Sequence, residues 1–137
     1  MAWARTGVGV SVFLLISRLA LGCECADWPV KAAPSFKSAS SVFIGKVTQI
    51  EIKAHRLTAT LQIEKTYKGE PKSPVRVSTE EYDAACGFPF QKTERYLVFA
   101  SLSGSEWRTG TCSGTTVLYG EDPVVAEVEK LSRQSAK

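Results

Sequence analysis

The sequence has no asparagine, a single histidine, and only four cysteines among 137 residues. Without Asn there is no acceptor for N-linked glycosylation. The one histidine, His55, falls in a turn between two strand-like segments. A Ser–His–Asp or Cys–His machinery would have to be built on it alone, and no candidate nucleophile flanks it. The chain is therefore read as a non-enzyme. The cysteines lack the paired CxxC spacing of a zinc ribbon; they fall as a CxC pair, Cys23 and Cys25, followed by Cys86 and Cys112. Runs of like charge are missing too, so the charged residues read as a solvated surface. No internal repeat is present, and the length suits one domain.

The longest apolar stretch lies near the start. Arg5 precedes an apolar run from Gly7 to Ile16, and Ala20-Leu21-Gly22 places small residues three and one positions before Cys23. This pattern predicts a secretory signal over 1–22, too short for a membrane span. Residues 23–137 then form the mature domain, and Cys23 is its first residue. Arg5 and Arg18 fall in the leader, so the remainder carries 15 Lys+Arg against 14 Asp+Glu, a net charge of +1. That balance argues against nucleic-acid binding. A small residue before Cys23 also resembles a bacterial lipoprotein site. However, Ala20 stands where such sites favour Leu, and lipidating Cys23 would leave three cysteines, an odd number for an oxidising compartment. The expected location is extracellular, or periplasmic or cell-surface in a bacterium, with membrane attachment only if Cys23 is lipidated.

Ala26 to Val30 is expected to be extended, because Pro29 disfavours helix at Trp28, and 33–40 to hold a short helical turn with Phe36 inward. Strands are predicted over 41–52, 56–67, 74–78, 95–101 and 107–112. The second is the clearest: Leu57, Ala59, Leu61 and Ile63 alternate with polar residues. Gly45 suggests a bend or bulge in the first strand, and 53–54 a tight connection. Residues 79–85 read as an acidic loop and 103–105 as a hairpin turn. The fourth strand is apolar on both faces, hence central. A helix is predicted over 121–134, with Asp122 as its cap, Pro123 in its first turn, and Val124, Val128 and Leu131 as its buried stripe. Trp28, Phe88, Phe90 and Trp107 are expected to pack in the core or at its rim. Five short strands and a late helix suggest a small all-β barrel.

Four cysteines permit three pairings, of which one containing a Cys23–Cys25 bridge would be strained. Bridges closing long loops constrain the unfolded chain most, by on the order of 4 kcal/mol each in the entropy model. A CxC thiol oxidoreductase is the enzymatic alternative, and it requires reduced thiols.

Several ordered features together resemble one family: the Cys23-Glu24-Cys25 start, the SVFIGKV strand about twenty residues on, Tyr67-Lys68-Gly69 ending the second strand, Cys86-Gly87 in mid-chain, and Thr111-Cys112-Ser113 after the fifth strand. From Cys23 to about Val117 the chain is similar to the inhibitory domain of the tissue inhibitors of metalloproteinases, a netrin-like module. The resemblance implies a five-stranded OB-fold-type barrel, here with a short N-terminal helical turn and the C-terminal helix. It also implies the pairings Cys23–Cys86 and Cys25–Cys112. The implied partner is a zinc metalloproteinase, whose catalytic zinc is coordinated by the amine and carbonyl of Cys23. Glu24 would enter the pocket beside that zinc, flanked by Cys25 and by Ala84, Ala85, Cys86 and Gly87. No cofactor of its own is implied, and the domain is expected to act as a monomer.

The chain departs from the family in three places. Glu24 replaces a small hydroxyl residue, the 53–54 connection is short, and the cysteine-rich C-terminal domain gives way to a helix and tail. Two alternatives stand beside the inhibitor reading. Cys23 and Cys25 could serve only to staple the terminus, and the module could be a non-inhibitory binding domain tethered by lipid at Cys23.

Overall fold

The β-branched and alternating segments form the strands expected of them. The computed structural model describes residues 22–81 and 85–137. Residues 1–21 of the signal expected over 1–22, and the site residue Ala84, lie outside the described residues. In chain order the elements are α1 (Ala32–Ser38), β1 (Ser41–Lys53), β2 (Arg56–Lys68), β3 (Val75–Glu80), β4 (Arg95–Ser103), β5 (Glu106–Arg108), β6 (Thr116–Val117) and α2 (Pro123–Ser135).

The strand order β1-β2-β3-β5-β4 closes on itself, because β1 also pairs with β4, from Ser41↔Ala100 to Lys46↔Arg95. The result is a five-stranded barrel of OB-fold type, with β3 and β5 as its parallel pair. β1 serves both neighbours by bending. The register with β2 shifts between Ile44 and Gly45, and a Cβ on Gly45 would lie 3.1 Å from the Leu61 Cβ. The bend expected there is thus a bulge, at which a side chain would crowd Leu61. The β1–β2 connection is a two-residue turn, with Ala54 and His55 both at positive φ (52° and 60°), as the twist of a tight hairpin demands.

Two cores share the wall made by β1 and β4. Phe43, Val47, Tyr96, Val98 and Ala100 point into the barrel with Leu57, Ala59, Leu61 and Val77. The alternate residues Val42, Ile44, Leu97 and Phe99 point outward and are covered by Phe36 of α1 and Val128 of α2. This is why β4 is apolar on both faces: it is buried on both. Helix α2 is capped as expected, the Asp122 carboxylate accepting from the Val124 N–H at 3.0 Å.

Most ends shift by one or two residues, and three differences from expectation are larger. β3 continues through Thr79 and Glu80, which pair with Leu57 and Arg56, so the loop starts later. Thr79 is buried and its hydroxyl accepts from Phe88 N–H at 2.8 Å, a tertiary bond no local pattern signals. The fifth strand stops at Arg108 rather than running to Cys112, because Thr109 to Thr115 folds into a hydroxyl-bonded loop. β6 was not expected: it extends β4's free edge by pairing at Tyr96 and Leu97.

Candidate functional site

The N-terminal segment contributes little packing of its own. Cys23 and Cys25 are half-buried, Glu24 and Ala26 to Pro29 are exposed, and the chain is held chiefly through sulfur. Cys23 is bridged to Cys86 and Cys25 to Cys112, with Cα separations of 5.1 and 5.3 Å. The two bridges stack, with Cys23 Sγ 3.7 Å from Cys112 Sγ. Three strands of chain, 22–25, 85–87 and 109–113, are thereby drawn to one end of the barrel.

Each partner of the bridges is separately held. The Cys86 carbonyl accepts from Thr111 N–H at 3.0 Å, and Thr111 Oγ1 donates to the Gly87 carbonyl at 2.9 Å. Cys86 itself sits at φ 63°, a left-handed conformation that a non-glycine residue keeps only when its surroundings over-determine it. The bridge and these two bonds do so. Behind it, Phe88 and Phe90 anchor the loop in the barrel mouth, their ring centroids 5.6 and 4.9 Å from that of Tyr96. The Tyr96 phenolic oxygen accepts from Gln91 N–H at 2.7 Å. Burial pushes this phenol above its usual pKa, against the opposing pull of that bond, so it stays neutral.

On the Cys112 side, Thr109, Ser113 and Thr115 form a closed set of hydroxyls. Thr109 Oγ1 lies 2.8 Å from Ser113 Oγ and 2.7 Å from Thr115 Oγ1. Thr109 Oγ1 also donates to the Phe99 carbonyl at 2.9 Å, and Thr115 Oγ1 accepts from Phe99 N–H at 2.9 Å. The loop bearing Cys112 is thus fixed to β4. Gly110 lets the loop pass the Cys86 strand: a Cβ there would stand 2.7 Å from the Cys86 carbonyl oxygen.

The Cys23–Cys86 bridge therefore joins Cys23-Glu24-Cys25 to Ala85-Cys86 as a ridge on which Glu24, Ala85 and Cys86 are exposed, while the predicted site residue Gly87 is buried behind it. Glu24 makes no hydrogen bond or ion pair with the described residues. A groove of about 440 Å³, lined in part by Cys25, Asp27, Lys31, Ser35 and Cys112, runs between this segment, α1 and the barrel. Trp28 departs from expectation. It is 78% exposed rather than packed, and 26–29 is a run of bends rather than the extended segment expected there. Phe90 is buried, and Phe88 and Trp107 pack at the rim as expected.

His55 lies in the β1–β2 turn, exposed, with Nδ1 3.4 Å from Glu81 Oε2. Among the described residues, one group of three metal-ligating side chains converges: Cys23, Cys25 and Cys112, whose sulfurs lie within 4.8 Å of one another. All three are in disulfides, and a disulfide sulfur is not the thiolate that binds metal. Sequence reasoning missed the supporting roles of Gly110, Thr111 and the three-hydroxyl set. The local signal was the TGTCSGTT run itself, whose small and hydroxyl residues suit a bonded loop better than a strand. No helix among the described residues is long and apolar enough to cross a membrane.

No family model matches this chain, and no curated protein matches it.

Proposed function

We propose that this protein is a secreted inhibitor of zinc metalloendopeptidases, a single-domain relative of the tissue inhibitors of metalloproteinases. The observation that supports this most is the ridge itself: a Cys23-Glu24-Cys25 segment bridged on both sides of an exposed residue and backed by Ala85-Cys86-Gly87. Cleavage after Gly22 would free the Cys23 amine. That nitrogen and the Cys23 carbonyl oxygen close a five-membered chelate on a zinc that keeps a position open for water. The chelate displaces the water that the protease needs as nucleophile. The bridges reduce the conformational freedom lost on docking. Two disulfides also suit an oxidising, extracellular compartment. A lipid thioether at Cys23 would require the sulfur that Cys86 occupies, which weighs against a lipid-tethered module.

The test compares two chains with both bridges intact, one beginning at Cys23 and one retaining Gly22 before it. The free-amine chain is expected to inhibit a zinc endopeptidase, and the Gly22-extended chain to be weaker by at least about a hundredfold, roughly 3 kcal/mol. Because an α-amine has an ordinary pKa of about 7.7–8.0 and must shed its proton to bind metal, affinity should fall about tenfold per pH unit below that range. Equal inhibition by both chains, or affinity flat from pH 8 to 6 after correction for the protease, would rule chelation out.

A further inference from the structure

We infer that Glu24 selects the target, and that the target is a zinc endopeptidase with a cationic side chain in the pocket that receives the residue after the scissile bond. Such an enzyme cleaves on the N-terminal side of Asp or Glu. The inference rests on the inhibitor reading above and goes beyond it by giving the partner's chemistry.

A zinc peptidase polarises the carbonyl of the bond it cleaves. If the Cys23 carbonyl takes that place on the metal, the next residue, Glu24, stands where a substrate presents the side chain following the bond. Its freedom to turn away is small. Cys23 and Cys25, on either side of it, are both bridged to loops that are themselves hydrogen-bonded to the barrel. Docking the ridge therefore carries the Glu24 carboxylate into the pocket.

Burying a carboxylate without a counter-charge is strongly unfavourable. No Lys or Arg among the described residues is bonded to it. The sequence has none over 22–30 or 79–90, and Lys31 lines the groove on the Cys25 side without reaching Glu24 in any hydrogen bond or ion pair. Glu24 has no hydrogen-bond or ion-pair partner among the described residues. The counter-charge has to come from the partner. An Arg would meet the carboxylate with two parallel N–H···O bonds, whereas an apolar pocket would reject it.

The experiment uses the mature chain, 23–137, with its free amine and both bridges verified by intact mass and N-terminal analysis. It is assayed against two zinc endopeptidases, one that cleaves before Asp or Glu and one that cleaves before Leu or Phe. Glu24→Gln and Glu24→Leu are run in parallel. Because Glu24 is exposed, both variants should keep the wild-type Tm. The wild type is expected to favour the acid-directed enzyme. Glu24→Gln should bind that enzyme at least about thirtyfold more weakly, since truncating one member of a buried charge pair strands the other. Glu24→Leu should move the preference to the apolar-directed enzyme. Inhibition of both enzymes with inhibition constants unchanged by either substitution would overturn the inference and leave the inhibitor reading standing. No inhibition of either enzyme by any of the three chains would overturn both.

Discussion

Gly110 touches no partner in the proposed complex, yet the ridge depends on it. The loop that carries Cys112 crosses the Cys86 carbonyl so closely that a single methyl group would stand 2.7 Å from that oxygen. The contact is with backbone, which cannot rotate aside as a side chain can. Gly110→Ala should therefore displace Cys86, break the Thr111–Cys86 bond, and cost on the order of 1–3 kcal/mol of stability. Chemical denaturation reads the stability, and inhibition assays on the same samples read the ridge. We expect inhibition to fall more than stability, because Cys86 flanks Glu24 while the barrel core lies elsewhere. Wild-type stability and inhibition in Gly110→Ala would show that the loop has room to give. The cysteine spacing and Glu24's place between two cysteines were readable without a structure. The need for glycine at 110 was not, since it arises from a turn 24 residues earlier in the chain.

At the scale of elements, β1 and β4 form the wall with a core on each side, and α2 covers its outer face. The apolar stripe of α2 was legible from its spacing, and Val128 is fully buried. An ion pair adds to the docking: Lys65 Nζ of β2 donates to Glu129 Oε1 at 2.9 Å. That hydrogen bond, with the Lys65 charge, holds Glu129 below the usual carboxylate value of 4.5, and its partner raises Lys65 above 10.5. The signs follow. Glu129's share of stability is complete above pH 4.5 and is lost as pH falls through its lowered folded value. Lys65's share is complete below pH 10.5 and is lost as pH rises through its raised one. Both groups face solvent, so the effect is small and weakened by salt. Glu129→Gln should lower Tm slightly at pH 7 and progressively less as pH falls below 4.5, whereas Val128→Ala should cost about 2 kcal/mol throughout. A Glu129→Gln deficit that did not shrink as pH fell would mean the pair is not the source.

At the scale of the whole molecule, two bridges span sequence separations of 63 and 87 residues and converge at one end of the barrel. Loop-closure entropy assigns each about 4–5 kcal/mol when it is the sole bridge. Their contributions should not add. Cys23 and Cys25 are neighbours, so with one bridge closed the other completes a much shorter ring. Removing Cys25–Cys112 by paired Ser substitution, removing Cys23–Cys86 likewise, and removing both should give a double loss smaller than twice the value for a sole bridge. Guanidinium unfolding measures all three, and strictly additive losses would contradict the shared-ring account.

The alternation in 56–67, the doubly apolar 95–101 stretch, the Asp122-Pro123 helix start and the CxC segment were legible because each is set by local periodicity, local backbone chemistry or residue identity. Those signals sufficed for the order of the two helices and the five barrel strands, the all-β class and the placement of Glu24 between two cysteines. Barrel closure through β1–β4, the extension of β3 to Glu80, the shortening of the fifth strand and the existence of β6 were decided only by tertiary structure. Each depends on hydrogen bonds between segments far apart in sequence, whose partners no local window contains. The same holds for Trp28, whose aromatic ring suggested burial. It is exposed instead, in the bent segment that follows Cys25.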